Sequence, residues 1–269
     1  MEDVIANLVR VQPGPKAPER SWRFRIPWEP ALFILALLGL WQGISSLPGL
    51  PNPALFPSIR VTLQALLQSL PELLKGTWCS FLILVPGYFS AVFLGIFWGL
   101  MVGTTGWLQR TFSPFARGAA PVPPTVYIPY AIALLPSFRV SAIFVVFIGA
   151  FWPVFTNTVA GAASMPSRHR DNARILGLSR SSYLLRVVFR AALPHIFSGM
   201  AVGLALSFIL LTVAELFGAN AGLGRFVQYY ADFADYPRMV AGILFTGLVT
   251  LLAMGLLEWV RRRALFWIR

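Results

Sequence analysis

Six stretches of this chain run for about twenty residues each with almost no charge: 30–47, 77–104, 117–136, 139–162, 194–217 and 238–260. Wound as α-helices, runs of that length match the roughly 30 Å hydrocarbon core of a bilayer. In lipid no water satisfies a backbone N–H or C=O, so each run must close its hydrogen bonds within itself, as a helix does. The expected fold is therefore an all-α polytopic membrane protein with six transmembrane helices. Composition agrees, because 12% of residues are charged where soluble domains carry about 25%. The net charge of +12 also suits a nucleic-acid binder, but such proteins gather Lys and Arg on a folded polar surface. Here the cations punctuate apolar runs, which excludes nucleic acid as the partner and makes the lipid membrane the surroundings.

The cations are unevenly divided between the two ends of the runs. One side collects Arg10, Lys16, Arg20, Arg23, Arg25, Arg110, Arg117, the six arginines between Arg168 and Arg190, and Arg261, Arg262, Arg263 and Arg269. The other side holds Arg60, Lys75, Arg139, Arg225 and Arg238. The positive-inside rule makes the richer side cytoplasmic and puts both termini there. Residues 1–29, polar and rich in Pro, lack the apolar core of a secretory signal and are expected to form a cytosolic N-terminal tail. On the outer side, the leucine pattern of residues 57–74 suggests an interfacial helix before the second run. Between runs five and six, "GANAGLGRFVQYYADFADYP" begins with Gly-rich turn chemistry and continues as a short aromatic helix.

Several chemistries are missing. A loop that cradles ATP phosphates needs G-x-x-x-x-G-K-[ST], and neither Lys16 nor Lys75 follows one. Any ATP and Mg that power this chain are expected in another subunit. Ser179 with His195 or His169 is the one candidate pair for an intramembrane hydrolase, but Ser179 lies in a basic stretch outside the runs and fits a helix cap better. No His, Asp or Glu pair has metal spacing, and Cys79 is alone. The chain is expected not to be an enzyme and to hold no cofactor of its own. An ion-coupled secondary transporter or channel is the alternative, and it would need buried charged pairs; Glu215 and Glu258 are the acids within or beside the runs, and no base partners them at mid-depth.

The stretch "SRHRDNARILGLSRSSYLLRVVFRAALP", residues 167–194, carries six arginines against the single acid Asp171. Pro166 can stand at the start of a short helix over 167–176, with Ala173, Ile175 and Leu176 as its apolar positions. Gly177 can close that helix in the left-handed conformation, and Ser179 can cap a second helix. The second helix places Tyr183, Leu184, Val187 and Val188 on one face and enters the membrane at Pro194. The spacing predicts a helix, a sharp turn and a helix on the cytoplasmic surface.

This stretch resembles the cytoplasmic EAA loop of ABC-importer permeases. Asp171, Asn172 and Ala173 stand for the E-A-A positions, Gly177 for the glycine, and Val187, Val188, Ala191, Ala192, Leu193 and Pro194 for the following Leu-Pro-like run. "PVPPTVYIPY", "FWPVFTNTVAG" and "AELFGANAGLG" are similar to the group of these permeases that imports nitrate, sulfonates and taurine. Asp171 and Asn172, together with Phe189 and Arg190, depart from the usual motif. The resemblance implies the ABC importer permease fold over residues 30–269, with a coupling loop at 164–193. It also implies a homodimer docked to two ATPase subunits in a bacterial inner membrane, fed by an extracytoplasmic binding protein with a small anionic solute such as a sulfonate, taurine, nitrate or bicarbonate. Arg170, Asp171, Ala173, Arg174, Leu176, Gly177, Leu178 and Arg180 would make the ATPase contacts.

Polar residues inside the runs mark the candidate substrate route: Tyr127, Tyr130, Thr156, Asn157, Ser207, Thr212 and Glu215. The hydroxyls and the amide are also the residue types that bond neighbouring helices in lipid. Glu215 stands apart because an intramembrane acid is costly, although it could instead hold the turn at Gly222, Leu223 and Gly224. No Lys or Arg is among these residues, so the route as read does not itself demand an anion.

Overall fold

The computed structural model describes residues 28–47, 55–119 and 121–267, and no strand occurs among them. The expected N-terminal tail lies outside the described residues up to position 27, as does the side chain of Arg174. The chain divides into two compact units, Met1–Ile44 and Ser45–Arg269. The first contains nearly all of helix α1, Trp28–Ser45, long and apolar enough to cross a bilayer.

The second unit is built on three helices: α2 (Ile59–Thr104), α5 (Phe138–Ala163) and α7 (Arg180–Gly218). Their contacts run through small residues. On Gly99 a Cβ would fall 2.5 Å from Thr158 Cβ, and on Gly103 it would fall 2.7 Å from Ala162 Cβ. Two helix backbones touch there, which is how helices gain van der Waals contact where lipid supplies no hydrophobic drive. Gly87 meets Val146 and Gly103 meets Ala162, so α2 and α5 run parallel and finish at the same end. Gly203 meets Ala150 and Gly161 meets His195, so α7 runs antiparallel to both. Ala91, Val146, Ala150, Val154 and Leu204 fill the centre.

Helix α9, Tyr236–Ala264, starts on an Asp235 cap that accepts from Arg238 N at 3.2 Å. It packs mainly on α2 and on α8, Leu223–Asp232. Among the described residues, five helices (α1, α2, α5, α7 and α9) are long and apolar enough to cross a membrane.

Three expectations change in extent. The interfacial helix and the second run are one helix of 46 residues, about 69 Å long. Pro71 and Pro86 lie inside it without ending it. Leu73, fully buried, packs on Leu223 and Phe226, and Gly76 lies against the Gly222 backbone, so the α8 segment braces the junction on one axis.

The third run is not one helix over 117–136. Helix α3 occupies Gly106–Ala119, a 3-10 turn Pro124–Val126, and α4 Tyr127–Leu134. Pro121, Pro123 and Pro124 have no N–H to donate, and Pro123, before Pro124, is extended at ψ 119°, which breaks the run as its prolines imply. The helix that leads into this run begins at Gly106, eleven residues before position 117. Finally, the second hairpin helix and the fifth run are continuous in α7, with a π-helical turn at Tyr183–Val188.

Candidate functional site

Helix α6, Ser167–Ile175, sits at the end where α2 and α5 finish. Pro166 accepts from His169 N at 3.1 Å, opening the helix as expected. Its closure is a Schellman turn: Gly177 has φ +61°, and Leu178 N donates to Ala173 O at 3.1 Å. A Cβ on Gly177 would meet nothing within 4 Å, so the backbone conformation alone requires glycine there. Ser179 then accepts from Ser182 N at 3.3 Å and caps α7. Its hydroxyl is therefore a cap, the role preferred over a nucleophile.

The hairpin is anchored by the face expected for it. Val188, with Tyr183, Leu184 and Val187 beside it, packs against Leu100, Ala162, Met165, Ala192 and Ile196. Ala173 is buried, while Ile175 and Leu176 are 83% and 73% exposed. A cavity of about 340 Å³ brings together Arg170, Ala173, Leu178, Arg180, Tyr183 and Thr104. Asp171, Leu176 and Gly177 lie on the exposed side. The result is a short cationic helix that projects from a fixed base with two large apolar side chains in the open.

Glu215 lies at the opposite end of α7 and is completely buried. One carboxylate oxygen accepts from Ser80 Oγ at 2.6 Å and the other from Gly224 N at 2.7 Å. Ser80 Oγ in turn accepts from Leu223 N at 3.0 Å. Leu223 and Gly224 are the first residues of α8, and its N-cap is Gly222, with no side chain to offer. Glu215 and Ser80 therefore supply from two other helices the acceptors that an N-cap side chain would provide, and the carboxylate faces the positive end of the helix dipole. Gly222 has φ +151°, and a Cβ there would fall 2.4 Å from Glu215 Cδ. The turn-holding reading of Glu215 matches this geometry. Ser80 carried no signal in the sequence, being one small polar residue in an apolar run.

The remaining pathway candidates are spread over α4, α5 and α7. Thr156 donates to Trp152 O at 2.8 Å, Asn157 to Pro153 O at 2.8 Å, Ser207 to Gly203 O at 2.8 Å and Thr212 to Phe208 O at 2.9 Å. Each returns to the carbonyl one turn earlier in its own helix instead of bridging to a neighbour, because that acceptor lies within reach without any helix having to move. Tyr127 is half-buried and Tyr130 is 67% exposed.

Residues 91–265 match the family model described as the inner membrane component of binding-protein-dependent transport systems. The nitrate import permease protein NrtB of Synechocystis sp. is 31% identical over 83% of this chain and 84% of its own length. The bicarbonate transport system permease protein CmpB of Synechococcus elongatus is 31% identical over 90% of this chain and 92% of its own. Among solved structures, a chain of the inward-facing methionine ABC transporter MetNI has a TM-score of 0.56 at 16% identity, over 73% of this chain and 98% of that one, and so shares the fold. The family match begins within α2 and runs through the projecting hairpin and the Glu215 turn to the end of α9: the chain belongs to the inner membrane components of binding-protein-dependent transport systems.

Proposed function

We propose that this chain is the permease subunit of an ATP-driven importer for a small anion. Two copies would form the membrane core, two ATPase subunits that bind ATP and Mg would dock on the α6 hairpins, and an extracytoplasmic binding protein would deliver solute at the far end. The hairpin end is then cytoplasmic, in a bacterial inner membrane, with both termini on that side.

The observation that carries this reading is the projecting helix α6. Its arginines and the exposed Ile175 and Leu176 offer charge and apolar area together, as a socket in a soluble partner requires. A push on α6 would pass into α7 through the Schellman turn at Gly177. Nitrate and bicarbonate, the solutes in the names of two relatives, support a small anion as cargo. Ion-coupled transport has less support, since both oxygens of Glu215 are already hydrogen-bonded.

The test is isolation of the tagged chain from its own host in mild detergent, with quantification of what accompanies it. An ATPase at one copy per permease is the expected result. Its absence across several detergents and lipid discs would refute the proposal.

A further inference from the structure

The cavity of about 340 Å³ beside the hairpin is shared by three helices: Arg170, Ala173 and Leu178 come from α6 and its turn, Thr104 from α2, and Arg180 and Tyr183 from α7. Two arginines line it and no acid does. Neither arginine is ion-paired among the described residues. Asp171, the single acid of residues 167–194, lies on the exposed side and does not line the cavity. Arg180 also opens α7, where the positive end of the helix dipole disfavours a cation. Positive charge is therefore gathered at the cavity with nothing on its walls to offset it.

Water satisfies both arginines while they stay exposed. The surface beside them is shaped to be covered, because Leu176 is 73% exposed and stands between Ala173 and Leu178, which both line the cavity. Leu176 N donates to Asn172 O at 3.0 Å, so helical geometry continues through it, and its side chain starts about 5 to 6 Å from that of Ala173. A protein that buries Leu176 thus closes over the arginines. Taking two cations out of water unpaired costs more than burial of one or two aliphatic side chains returns. Such a partner must bring negative charge to the cavity.

We infer that the ATPase subunit seats an acidic side chain in this cavity, with its carboxylate between Arg170 and Arg180. Arginine presents its N–H donors as a fork that meets a carboxylate in two parallel bonds. The Thr104 hydroxyl already donates to Leu100 O at 2.8 Å, which leaves the arginines as the charged donors. The inference rests on the importer reading for the identity of the partner, and on the cavity for its chemistry. Recognition is then reciprocal: α6 enters the ATPase, and an acid of the ATPase enters the permease.

The test uses the complex of permease and ATPase isolated from its own host and held in phosphatidylcholine discs, with Lys16→Arg as background. Lys16 and Lys75 are the chain's two lysines, and Lys75 lies at the far end, in the cavity beside Gly222. Arg170→Lys and Arg180→Lys, made separately, each place an amine at the cavity. A zero-length carbodiimide joins an amine to a touching carboxylate as an amide and leaves arginine unreacted. The expected result is a conjugate mapped by mass spectrometry to one or both substituted positions and to an Asp or Glu of the ATPase. In assembled complex, no conjugate at either position, or one to the second permease copy, overturns the inference. As a second measurement, the Arg170→Gln, Arg180→Gln complex should release its ATPase about tenfold faster than the parent on dilution, and with weaker dependence on salt. Loss of assembly in the Gln pair that the Lys variants restore is the same result, and release at the parent's rate overturns the inference. A parent preparation with no ATPase is a failure of the importer reading, seen apart from an ATPase that is present but makes no such bond.

Discussion

Two glycine turns, at opposite ends of α7, use the same residue for different ends. Gly177 at φ +61° leads into α7 and Gly222 at φ +151° follows it, and both adopt backbone that side chains resist. Around Gly177 there is open space, with nothing within 4 Å of an added Cβ; around Gly222 the same atom would strike the Glu215 carboxyl group. The first turn presents a helix outward, and the second is pressed into a buried hydrogen-bonded clamp. On the proposed reading the open turn faces the ATPase, whereas the filled one holds the fold.

If that contrast holds, substitutions in the filled turn act on stability. Gly222→Ala should have the largest effect, since it combines backbone strain with overpacking against Glu215, about 3 kcal/mol. A steep fall in the thermal unfolding temperature of the purified protein is expected, and a shift of a degree or less would mean that the clamp is looser than described. Glu215→Ala leaves the Gly224 N–H and the Ser80 hydroxyl without their acceptor, about 2 kcal/mol. Glu215→Gln keeps an acceptor and should lose less stability while preserving ATPase assembly; a fall in uptake in the assembled complex would show that Glu215 also shapes the outer gate. Ser80→Ala removes the partner of the Leu223 N–H and should cost about 1 kcal/mol, with amide exchange faster at the start of α8.

The hairpin was legible in the sequence because its signals are local. Pro166, Gly177 and Ser179 each act within a few residues, and Tyr183, Leu184, Val187 and Val188 follow helical spacing. Glu215 was legible as a costly acid beside a glycine turn nine residues away. Its bond to Ser80 spans 135 positions, and no periodicity connects residues so far apart.

The helix that leads into the third run was hidden for a different reason. Arg110, Ser113 and Arg117 make α3 amphipathic, so it reads as a cytoplasmic loop when apolar length is the criterion. A helix that faces packed aromatics on one side needs no apolar residues on the other if that side meets water. The junction at Leu73 and Gly76 likewise depends on the α8 segment, more than 140 residues later.

At the open turn, Gly177→Val should have a small effect on stability and the largest on function. Strain at φ +61° amounts to about 1 kcal/mol, too little to unfold the packed helices, but it redirects α6 relative to α7. The most direct measurement is ATP hydrolysis by the complex of permease, ATPase and loaded binding protein in lipid, comparing Gly177→Val with the parent. The account predicts that stimulation by the loaded binding protein falls to the basal rate, or that the ATPase dissociates, while the permease stays inserted and its unfolding temperature moves little. Full stimulation in the Gly177→Val complex would contradict it and leave the hairpin as a charged loop with no coupling role.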